Sequence, residues 1–376
     1  MKILYLSGSY VPSRRASSIH VMHMCQAMVH LGHEVTVVTK NNPESIEPDI
    51  SDDHNYYGME PIFSIQKLPR PKRWGGGFRF TWEMSRLLST FDSADTLVYS
   101  RELFGAWIAV RKGFQVVFEA HDLPTTWLSI QLHKQLFSAQ TFCRFVVISQ
   151  AHRALFAESN LLPATDKVLV AHDAAEPIPT TTDDVNGLLQ DNGKTRLGYL
   201  GHLYPGRGID ILLEIASRLD SCELHIIGGT NKDLAYWQSN HVPQNVYFHG
   251  FVQPGKLSHF FTAFDMLLMP YQKSVYVAVG GTDTARWMSP LKMFEYMSTG
   301  KPIISSDLPV LREVLVHEQN ALLVPPDDVD AWEAAVRRLQ SHPALAARLG
   351  ERAREDLMQD YTWRSRVEKV LRDLTP

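Results

Sequence analysis

Residues 201–208, which read GHLYPGRG, could bind a phosphate group in the second half of the chain. They join a predicted strand to a predicted helix, where glycines let backbone N–H groups approach an anion and the helix N-terminus adds partial positive charge. Arg207 could then neutralise a diphosphate. The alternative is that Gly206 and Gly208 only form a tight turn, because a glycine-rich loop between a strand and a helix is a weak signal by itself.

Residues 289–302, SPLKMFEYMSTGKP, are more informative. Pro290 suits the first turn of a helix, and Gly300 suits its C-cap before the next strand. Lys292, near the helix N-terminus, would bind an anion together with the free N–H groups. Glu295, one turn further on, could accept hydrogen bonds from the two hydroxyls of a ribose. The alternatives are a solvated lysine and a surface glutamate.

Polar residues also follow two buried strands that we predict in the first half. Glu119, His121 and Asp122 come at the end of one strand, and Arg101 follows another. Ligands of open α/β sheets collect at the carboxyl ends of the strands, so these residues are placed where a ligand would bind. A single histidine at a strand end is more often structural, and Arg101 is the weaker candidate of the two.

The elements that position these residues form two series of strands alternating with helices. Short apolar runs typical of buried parallel strands alternate with helical patterns, which predicts layered parallel α/β sheets. The first predicted strand, at 2–6, is followed by a loop at 7–18 and a helix at 19–31. The other predicted strands are 35–38, 96–99, 116–119, 145–148, 168–171, 197–200, 224–227, 246–248, 266–269, 303–305 and 321–324.

A change of composition divides the chain. Residues 176–194 are rich in Pro, Thr, Asp, Asn and Gly, which is typical of an interdomain linker. A length of 376 residues also favours two domains, at roughly 150 residues each. We therefore expect a first domain at 1–175 and a second domain at 195–358.

Composition excludes several classes of function. Lys plus Arg is 37 and Asp plus Glu is 41, so a net charge of -4 gives no general case for nucleic-acid binding. Cys25, Cys143 and Cys222 are isolated, which predicts neither a zinc knuckle nor a disulfide framework and fits a reducing compartment. No apolar run reaches about 18 residues, and the N-terminal run is too short for a signal peptide, which favours a cytoplasmic protein.

No metal or other cofactor is predicted. The 16 histidines show no metal-ligand spacing. Asp328 and Asp330 form an Asp-x-Asp pattern, but they precede an amphipathic helix at 331–339 and are better explained as helix-capping residues. The basic and aromatic residues at 67–82 could contact an anionic lipid-linked acceptor or a membrane surface, or they could belong to a loop with solvated charge.

Five segments, taken together and in order, resemble glycosyltransferase family 4 over nearly the whole chain. They are residues 31–38 (LGHEVTVV), 201–208, 245–250 (NVYFHG), 295–307 and 361–363 (YTW). The resemblance implies retaining transfer and the GT-B fold: two Rossmann-like α/β domains facing a central cleft. It also implies that a closing helix, within 359–376, packs back on the first domain.

The resemblance carries donor-binding roles to particular residues. Gly201-His202 and Arg207-Gly208 match the two pairs that bind the donor diphosphate, with a histidine in place of an arginine at 202. Glu295 matches the acidic residue that binds ribose, whereas the family's first acidic residue falls at Trp287. By hypothesis, Lys292 supplies the lost cation and Asp283 the lost carboxylate. The implied donor-binding set is Gly201, His202, Gly208, Gly281, Asp283, Ser289, Pro290, Leu291 and Glu295, with Arg207 and Lys292 as catalytic candidates.

In the first half, the resemblance makes His121 the catalytic candidate that contacts the transferred sugar. It places Ser17, Ser18 and His20 where the family's N-terminal glycine loop faces the cleft. Together with Arg101, proposed above from its position at the sheet edge, they are the acceptor-side candidates. The implied reaction moves a hexose-type sugar from a UDP- or GDP-linked donor to a glycan or lipid-linked acceptor without a metal, in cell-surface polysaccharide synthesis.

Two alternatives to this function stay open. A sugar-nucleotide epimerase would bind the same donor and alter it without an acceptor. A catalytically weakened donor-binding subunit is also consistent with Trp287 at the position of the first acidic residue.

Overall fold

The computed structural model describes residues 1–41, 50, 52–69, 76–178, 192–276 and 281–375. The chain divides into two compact units, Met1–His172 with Trp363–Pro376, and Asp173–Thr362. Most of the predicted linker at 176–194 lies outside the described residues, as do residues 70–75 of the basic segment.

The first unit contains a parallel sheet of seven strands in the order β3-β2-β1-β4-β5-β6-β7. The strands are β1 Lys2–Tyr10, β2 Glu34–Lys40, β3 Ser64–Leu68, β4 Thr96–Ser100, β5 Gln115–Ala120, β6 Phe142–Val147 and β7 Val168–Val170. The helices between them are α1 Ala16–His30, α2 Asp53–Tyr56, α3 Gly76–Leu88, α4 Leu103–Arg111, α5 Trp127–Phe137 and α6 Gln150–Glu158.

The second unit contains a parallel sheet of six strands in the order β10-β9-β8-β11-β12-β13. The strands are β8 Thr195–Leu200, β9 Cys222–Ile227, β10 Val246–Gly250, β11 Met266–Met269, β12 Ile303–Ser306 and β13 Leu322–Val324. The helices are α7 Ile209–Arg218, α8 Asn231–Gln238, α9 Ser258–Ala263, α10 Leu291–Ser298, α11 Val329–Ser341 and α12 Pro343–Asp360.

The last helix, α13 Trp363–Leu371, belongs to the first unit, where it packs against α1. Trp363 is 1% exposed, and its ring contacts His20 edge-on and stacks on His23. The end of the chain therefore contributes core residues to the unit in which the chain begins.

The central strands of both sheets are buried on two faces, which explains their apolar sequences. All five residues of β4 and all four residues of β11 are buried. Strands covered by helices on both faces are near-continuous hydrophobic runs, so they could be found from the sequence. In each sheet the strand order reverses beside the first strand, at β1/β4 and at β8/β11, and ligands of such sheets bind outside the carboxyl ends of the strands at this point.

The structure corrects the predicted start of the chain. Residues 7–10 continue β1 and are not loop, because Tyr10 pairs with Lys40 of β2 after an irregularity in the register. Helix α1 begins at Ala16, three residues before its predicted start, so Ser17 and Ser18 are helical. No helix among the described residues is long and apolar enough to cross a membrane.

Strand β3 was not predicted. Its sequence, SIQKL, is mostly polar because it is an edge strand that leaves three of its five side chains exposed. Without a run of apolar residues, such a strand has no pattern that separates it from a loop.

Candidate active site

The candidate site in the second unit begins at the end of β8. Gly201 follows this strand with φ +147, and a Cβ atom there would lie 2.7 Å from Nζ of Lys292. A larger residue at 201 would therefore displace the lysine. A Cβ atom on Gly206 or Gly208 would lie 2.0 Å from the carbonyl oxygen of Ser274 or Pro270. These two glycines are required by close backbone packing.

Lys292 lies in the first turn of α10 and is 8% exposed. Its Nζ lies 3.9 Å from the ring centroid of Tyr199 and 5.1 Å from that of Tyr271. The ammonium group forms no hydrogen bond with any residue that the structure describes. Burial, and then the charge of Arg207, lower the pKa of Lys292 well below its usual value. Within the described residues, this buried amine has ring faces and the more distant charge of Glu295 to favour its charged form, an arrangement suited to receiving an anion.

Arg207 shares the ring of Tyr271 with Lys292. Its guanidinium carbon lies 5.1 Å from the ring centroid, and Nη2 donates to the carbonyl oxygen of Tyr276 at 3.5 Å. Nε of Arg207 is buried and lacks a hydrogen-bond partner among the described residues. Two cations therefore lie on one aromatic residue, Tyr271, which comes two residues after the end of β11.

Glu295 lies one helical turn after Lys292. Burial raises the pKa of Glu295 to about 7, and the charge of Lys292 acts in the opposite direction. Its carboxyl group forms no hydrogen bond within the described parts of the chain. A group with this pKa changes its charge near neutral pH, so its state responds readily to a bound ligand.

Other predicted donor-binding residues have structural contacts. Oδ1 of Asp283 accepts from the backbone N–H groups of Val275 and Ala285 at 2.8 and 3.0 Å. Burial acts to raise the pKa of Asp283, but these two N–H groups outweigh it, and the pKa is lowered. Oγ of Ser289 accepts from the N–H of Asp173 at 2.8 Å. Both side chains therefore hold the local backbone in place.

The remaining members of the donor-binding set surround these residues. Pro290 is the N-cap of α10, and Leu291, its first residue, is 8% exposed. The ring of His202 stacks on Tyr204, with centroids 4.7 Å apart. Gly208 is the N-cap of α7, and Gly281 begins the described segment that contains Asp283.

In the first unit, the predicted residues converge on Glu119, the buried carboxylate near the end of β5. Glu119 is 1% exposed. Its Oε1 lies 2.5 Å from Nε2 of His121 and 3.0 Å from Nε2 of His20. Its Oε2 accepts from Nη1 of Arg366 at 3.1 Å and from the hydroxyl of Tyr99. Nε of Arg101 lies 3.6 Å from Oε1.

The charges around Glu119 fix its ionisation. Burial acts to raise the pKa of Glu119, but Arg366 and His20, with hydrogen bonds from His121 and His20, lower it well below the usual value. Burial, and then the charge of Arg101, lower the pKa of His121 to about 4. At neutral pH the first unit therefore contains an ionised carboxylate beside a neutral imidazole.

The two predicted serines lie in the first turns of α1. Ser17 is contacted through its backbone, since its carbonyl oxygen accepts from Nη1 of Arg101 at 3.1 Å. Ser18 is fully buried, and its hydroxyl donates to the carbonyl oxygens of Ser13 and Arg15 at 2.9 and 2.8 Å. Ser18 thus closes the loop before α1, and this contact accounts for its burial.

One group in the described part of the chain has the spacing of a metal site. The ligand atoms of His20, Glu119 and His121 all lie within 4.8 Å of one another. Arg366 and Arg101 already balance the charge of Glu119, so a divalent cation there would meet two guanidinium groups. The arrangement fits a hydrogen-bonded carboxylate better than a metal centre.

Comparison with known proteins places the chain in a family. A model for glycosyltransferase family 4 matches residues 17–172, and a model for glycosyl transferases group 1 matches residues 194–342. An uncharacterized glycosyltransferase of Methanocaldococcus jannaschii is 26% identical over an alignment of 394 positions, which covers 96% of this chain and 95% of that protein. The chain is a glycosyltransferase of the family 4 type.

A solved structure shows the same fold as this glycosyltransferase. Anabaena HepE in complex with UDP-glucose aligns with a TM-score of 0.73 at 14% identity, covering 98% of each chain. With the two parallel sheets described above, this confirms the predicted GT-B fold. The O-antigen chain mannosyltransferase RfbU of Salmonella typhimurium is 31% identical over 86 residues, 23% of each protein.

Several residues that contact the predicted site residues could not be identified from the sequence of this glycosyltransferase. Glu119 was noted without a role, although a charge inside a buried strand must be paired. Tyr199 lies within the apolar strand β8 and Tyr271 lies just after β11, so both have the pattern of core residues. Arg366 has no local signal, because its partner Glu119 lies 247 positions away.

Proposed function

We propose that this glycosyltransferase transfers a hexose-type sugar, with retention of configuration and without a metal, from a nucleoside-diphosphate sugar to a glycan or lipid-linked acceptor. The observation that carries the proposal is the pair of cations in the second unit. Lys292 and Arg207 lie against Tyr271 with no carboxylate hydrogen-bonded to either within the described residues.

A diphosphate is the anion that fits this pair. It carries charge on two adjacent phosphoryl groups, which matches two cations held on one ring. The N-terminus of α10 lies at Lys292 and adds free N–H groups and partial positive charge. We assign Glu295, one turn deeper, to the ribose hydroxyls, in keeping with the role that the family resemblance implies.

The reaction breaks the bond between the anomeric carbon and the β-phosphate oxygen and forms a bond from that carbon to an acceptor hydroxyl oxygen. The acceptor proton passes to the departing phosphate oxygen, on the same face of the sugar. Arg207 and Lys292 stabilise the charge that develops on the leaving diphosphate. Preorganised donors of this kind contribute roughly 3–4 kcal/mol each in a site that excludes water.

The relatives support the sugar and the nucleotide. HepE binds UDP-glucose, and RfbU is named as a mannosyltransferase of O-antigen chains. Both point to a hexose donor, and RfbU supports a role in cell-surface polysaccharide synthesis. We assign His121, with its neutral ring, to the transferred sugar.

The surface of α3 supports a lipid-linked acceptor or peripheral membrane contact. Phe78 is 80% exposed and Trp82 is 50% exposed, and the guanidinium of Arg86 lies 4.9 Å from the Trp82 ring centroid. Exposed aromatic and basic residues on one helix suit an anionic lipid interface.

The test is a thermal-shift screen with UDP, GDP and ADP and their sugar conjugates, with and without EDTA. A nucleotide at about 100 times its dissociation constant stabilises the protein by about 2.7 kcal/mol. We expect one base to act selectively, EDTA to leave the shift unchanged, and Lys292→Met to abolish it. Lys273→Met is the matched control, because Lys273 is an exposed lysine of the same unit paired with Asp327.

Activity is then measured as nucleotide release with the selected donor and membrane extracts as the acceptor source. Conversion of the free sugar nucleotide without an acceptor would identify an epimerase instead. Binding without turnover in any extract would identify a donor-binding subunit, in line with Trp287 at the position of the family's first acidic residue. An equal shift in wild-type protein and Lys292→Met would place the nucleotide elsewhere.

A further inference from the structure

Arg366 of α13 is the most enclosed cation in the described part of the first unit. It is 2% exposed, although it belongs to a helix with a solvent-facing side. Nε donates to the carbonyl oxygen of His172 at 2.8 Å, and Nη2 donates to that of Ala171 at 3.2 Å. Nη1 donates to Oε2 of Glu119 at 3.1 Å. The guanidinium thus joins the chain after β7 to the end of β5.

The two oxygens of Glu119 have different partners. Oε2 receives Arg366 and the Tyr99 hydroxyl, and Oε1 lies against His121 and His20. Because a carboxylate is planar, fixing Oε2 also fixes the direction in which Oε1 points. The orientation of the His121 ring therefore depends on a residue that it does not touch.

We propose that Arg366 is a positioning residue for His121, acting through Glu119 to set both the orientation and the tautomer of the ring. The proposal rests on the proposed function, in which His121 contacts the transferred sugar. It adds that the last helix of the chain controls the imidazole near the end of β5.

The tautomer follows from the charge of Glu119. An ionised carboxylate only accepts hydrogen bonds, so Nε2 of His121 carries the hydrogen and Nδ1 is the unprotonated nitrogen of the neutral ring. Arg366 is the main charge that keeps Glu119 ionised in its buried position. The other groups that face this carboxylate are His20 on α1, Tyr99 and Arg101 at the end of β4, and Tyr5 of β1.

Loss of Arg366 has a defined consequence at His121. Without the guanidinium, Glu119 takes up a proton more readily, and a carboxylic acid can donate to Nε2 where the carboxylate accepted from it. The ring then shifts toward the tautomer with the hydrogen on Nδ1 and rotates more freely. A change that only loosened packing would not reverse the tautomer.

The test uses full-length protein labelled with ¹⁵N-histidine, with the His121 signals assigned from His121→Gln. In wild type at pH 7 we expect the Nε2–H tautomer. In Arg366→Met we expect a mixture or the Nδ1–H form, and kcat for the selected donor falling on the order of 10- to 100-fold with little change in donor KM. Arg364→Met, on the same helix at an exposed pair with Glu368, is the control and should change neither.

Arg366→Lys covers the case in which Arg366→Met does not fold. A lysine keeps the charge but cannot reach Glu119 and both carbonyl oxygens at once, so we expect the Nε2–H tautomer to be retained and kcat to be partly restored. A folded Arg366→Met with the wild-type His121 spectrum would overturn the proposal. A changed spectrum in a protein whose wild type transfers no sugar would instead support the positioning role and overturn the proposed function.

Discussion

In the first unit a buried carboxylate is surrounded by cations and hydrogen-bond donors, whereas in the second unit two cations lie on aromatic rings. Glu119 has contacts at both oxygens. Among the described residues, Lys292 contacts only the faces of Tyr199 and Tyr271, besides the more distant charge of Glu295. Both sites lie at the carboxyl ends of parallel strands, so position in the fold does not explain the difference.

The difference indicates what each site still needs. A buried charge is costly unless it is paired, and ring faces compensate a cation less fully than a carboxylate does. In the first site the charge of Glu119 is already paired, which suits a role in holding the His121 side chain in place. In the second site, the burial of the two cations leaves a free-energy cost that a bound anion would remove. Such a loss of stability is common at binding sites.

Replacing one cation of each site by methionine gives the largest expected contrast. Arg366→Met leaves Glu119 buried without its main partner, and we expect the free energy of unfolding to fall by about 3–5 kcal/mol. Lys292→Met removes a cation with no hydrogen-bonded carboxylate among the described residues, and we expect the free energy of unfolding to stay unchanged or rise by about 1 kcal/mol. Urea unfolding without nucleotide measures both.

The control for this contrast is Arg364→Met, since Arg364 and Glu368 form an exposed pair on α13. Such pairs contribute about 0–1 kcal/mol, so this variant should unfold nearly as wild type does. A loss of several kcal/mol in Lys292→Met would mean that Lys292 is already well paired, and the contrast between the two sites would disappear.

Low pH should lower the free energy of unfolding of both units, because each contains a histidine that is buried in the neutral form. Burial, and then the charge of a neighbouring histidine, lower the pKa to about 4 for His23 in the first unit and for His225 in the second. Unfolded, each ring titrates near pH 6.5, so the unfolded chain binds more protons between pH 6.5 and 4. Each histidine should then lower the free energy of unfolding by up to about 1.4 kcal/mol per pH unit as pH falls, with no contribution above that window.

His23→Gln and His225→Gln separate the two contributions to this acid weakening. Each should reduce the slope of unfolding free energy against pH by about one proton, whatever its effect on stability at pH 7. Urea unfolding at intervals between pH 4.5 and 7.5 gives the slopes. An unchanged slope in one of the variants would mean that the histidine replaced in it does not contribute to the acid weakening.

Tyr271→Leu tests whether ring faces prepare the second site. Loss of the ring removes cation–π contacts of about 1–2 kcal/mol to Lys292 and Arg207, so we expect nucleotide affinity to fall about tenfold. Tyr271→Phe keeps the ring and should bind nearly as wild type does. Isothermal titration with the nucleotide chosen by the screen measures both, and equal affinity of the Leu and Phe variants would show that the ring is only packing.

Much of the fold could be predicted because apolar runs mark strands buried on both faces. The predicted bounds of β11 are those observed, and most other strands differ by one to three residues at an end. Prediction failed where that pattern is absent, as in the polar edge strand β3, and where serine and glycine continue β1 beyond its apolar part.

The candidate site was predictable where chemistry and local sequence coincide. Lys292 and Glu295 are one turn apart on a helix that the sequence indicates, and Arg207 lies in a recognisable loop. The partners that determine their environment were not predictable. The sequence pattern does not separate aromatic residues in or just after buried strands from core residues, and the contact of Arg366 with Glu119 depends on tertiary packing across 247 positions.

Asp328→Ala should have the smallest effect and separates stability from binding in the second unit. Oδ1 of Asp328 accepts from the N–H of Ala331 at 3.0 Å, which confirms the predicted cap of α11. Loss of an N-cap costs about 1 kcal/mol, so urea unfolding should shift by this amount while nucleotide affinity and its insensitivity to EDTA stay unchanged. Asp328→Asn, which keeps a capping oxygen, should recover most of the stability. A loss of nucleotide binding in Asp328→Ala would tie the Asp-x-Asp segment to the donor site and would weaken the assignment of that site to the two cations on Tyr271.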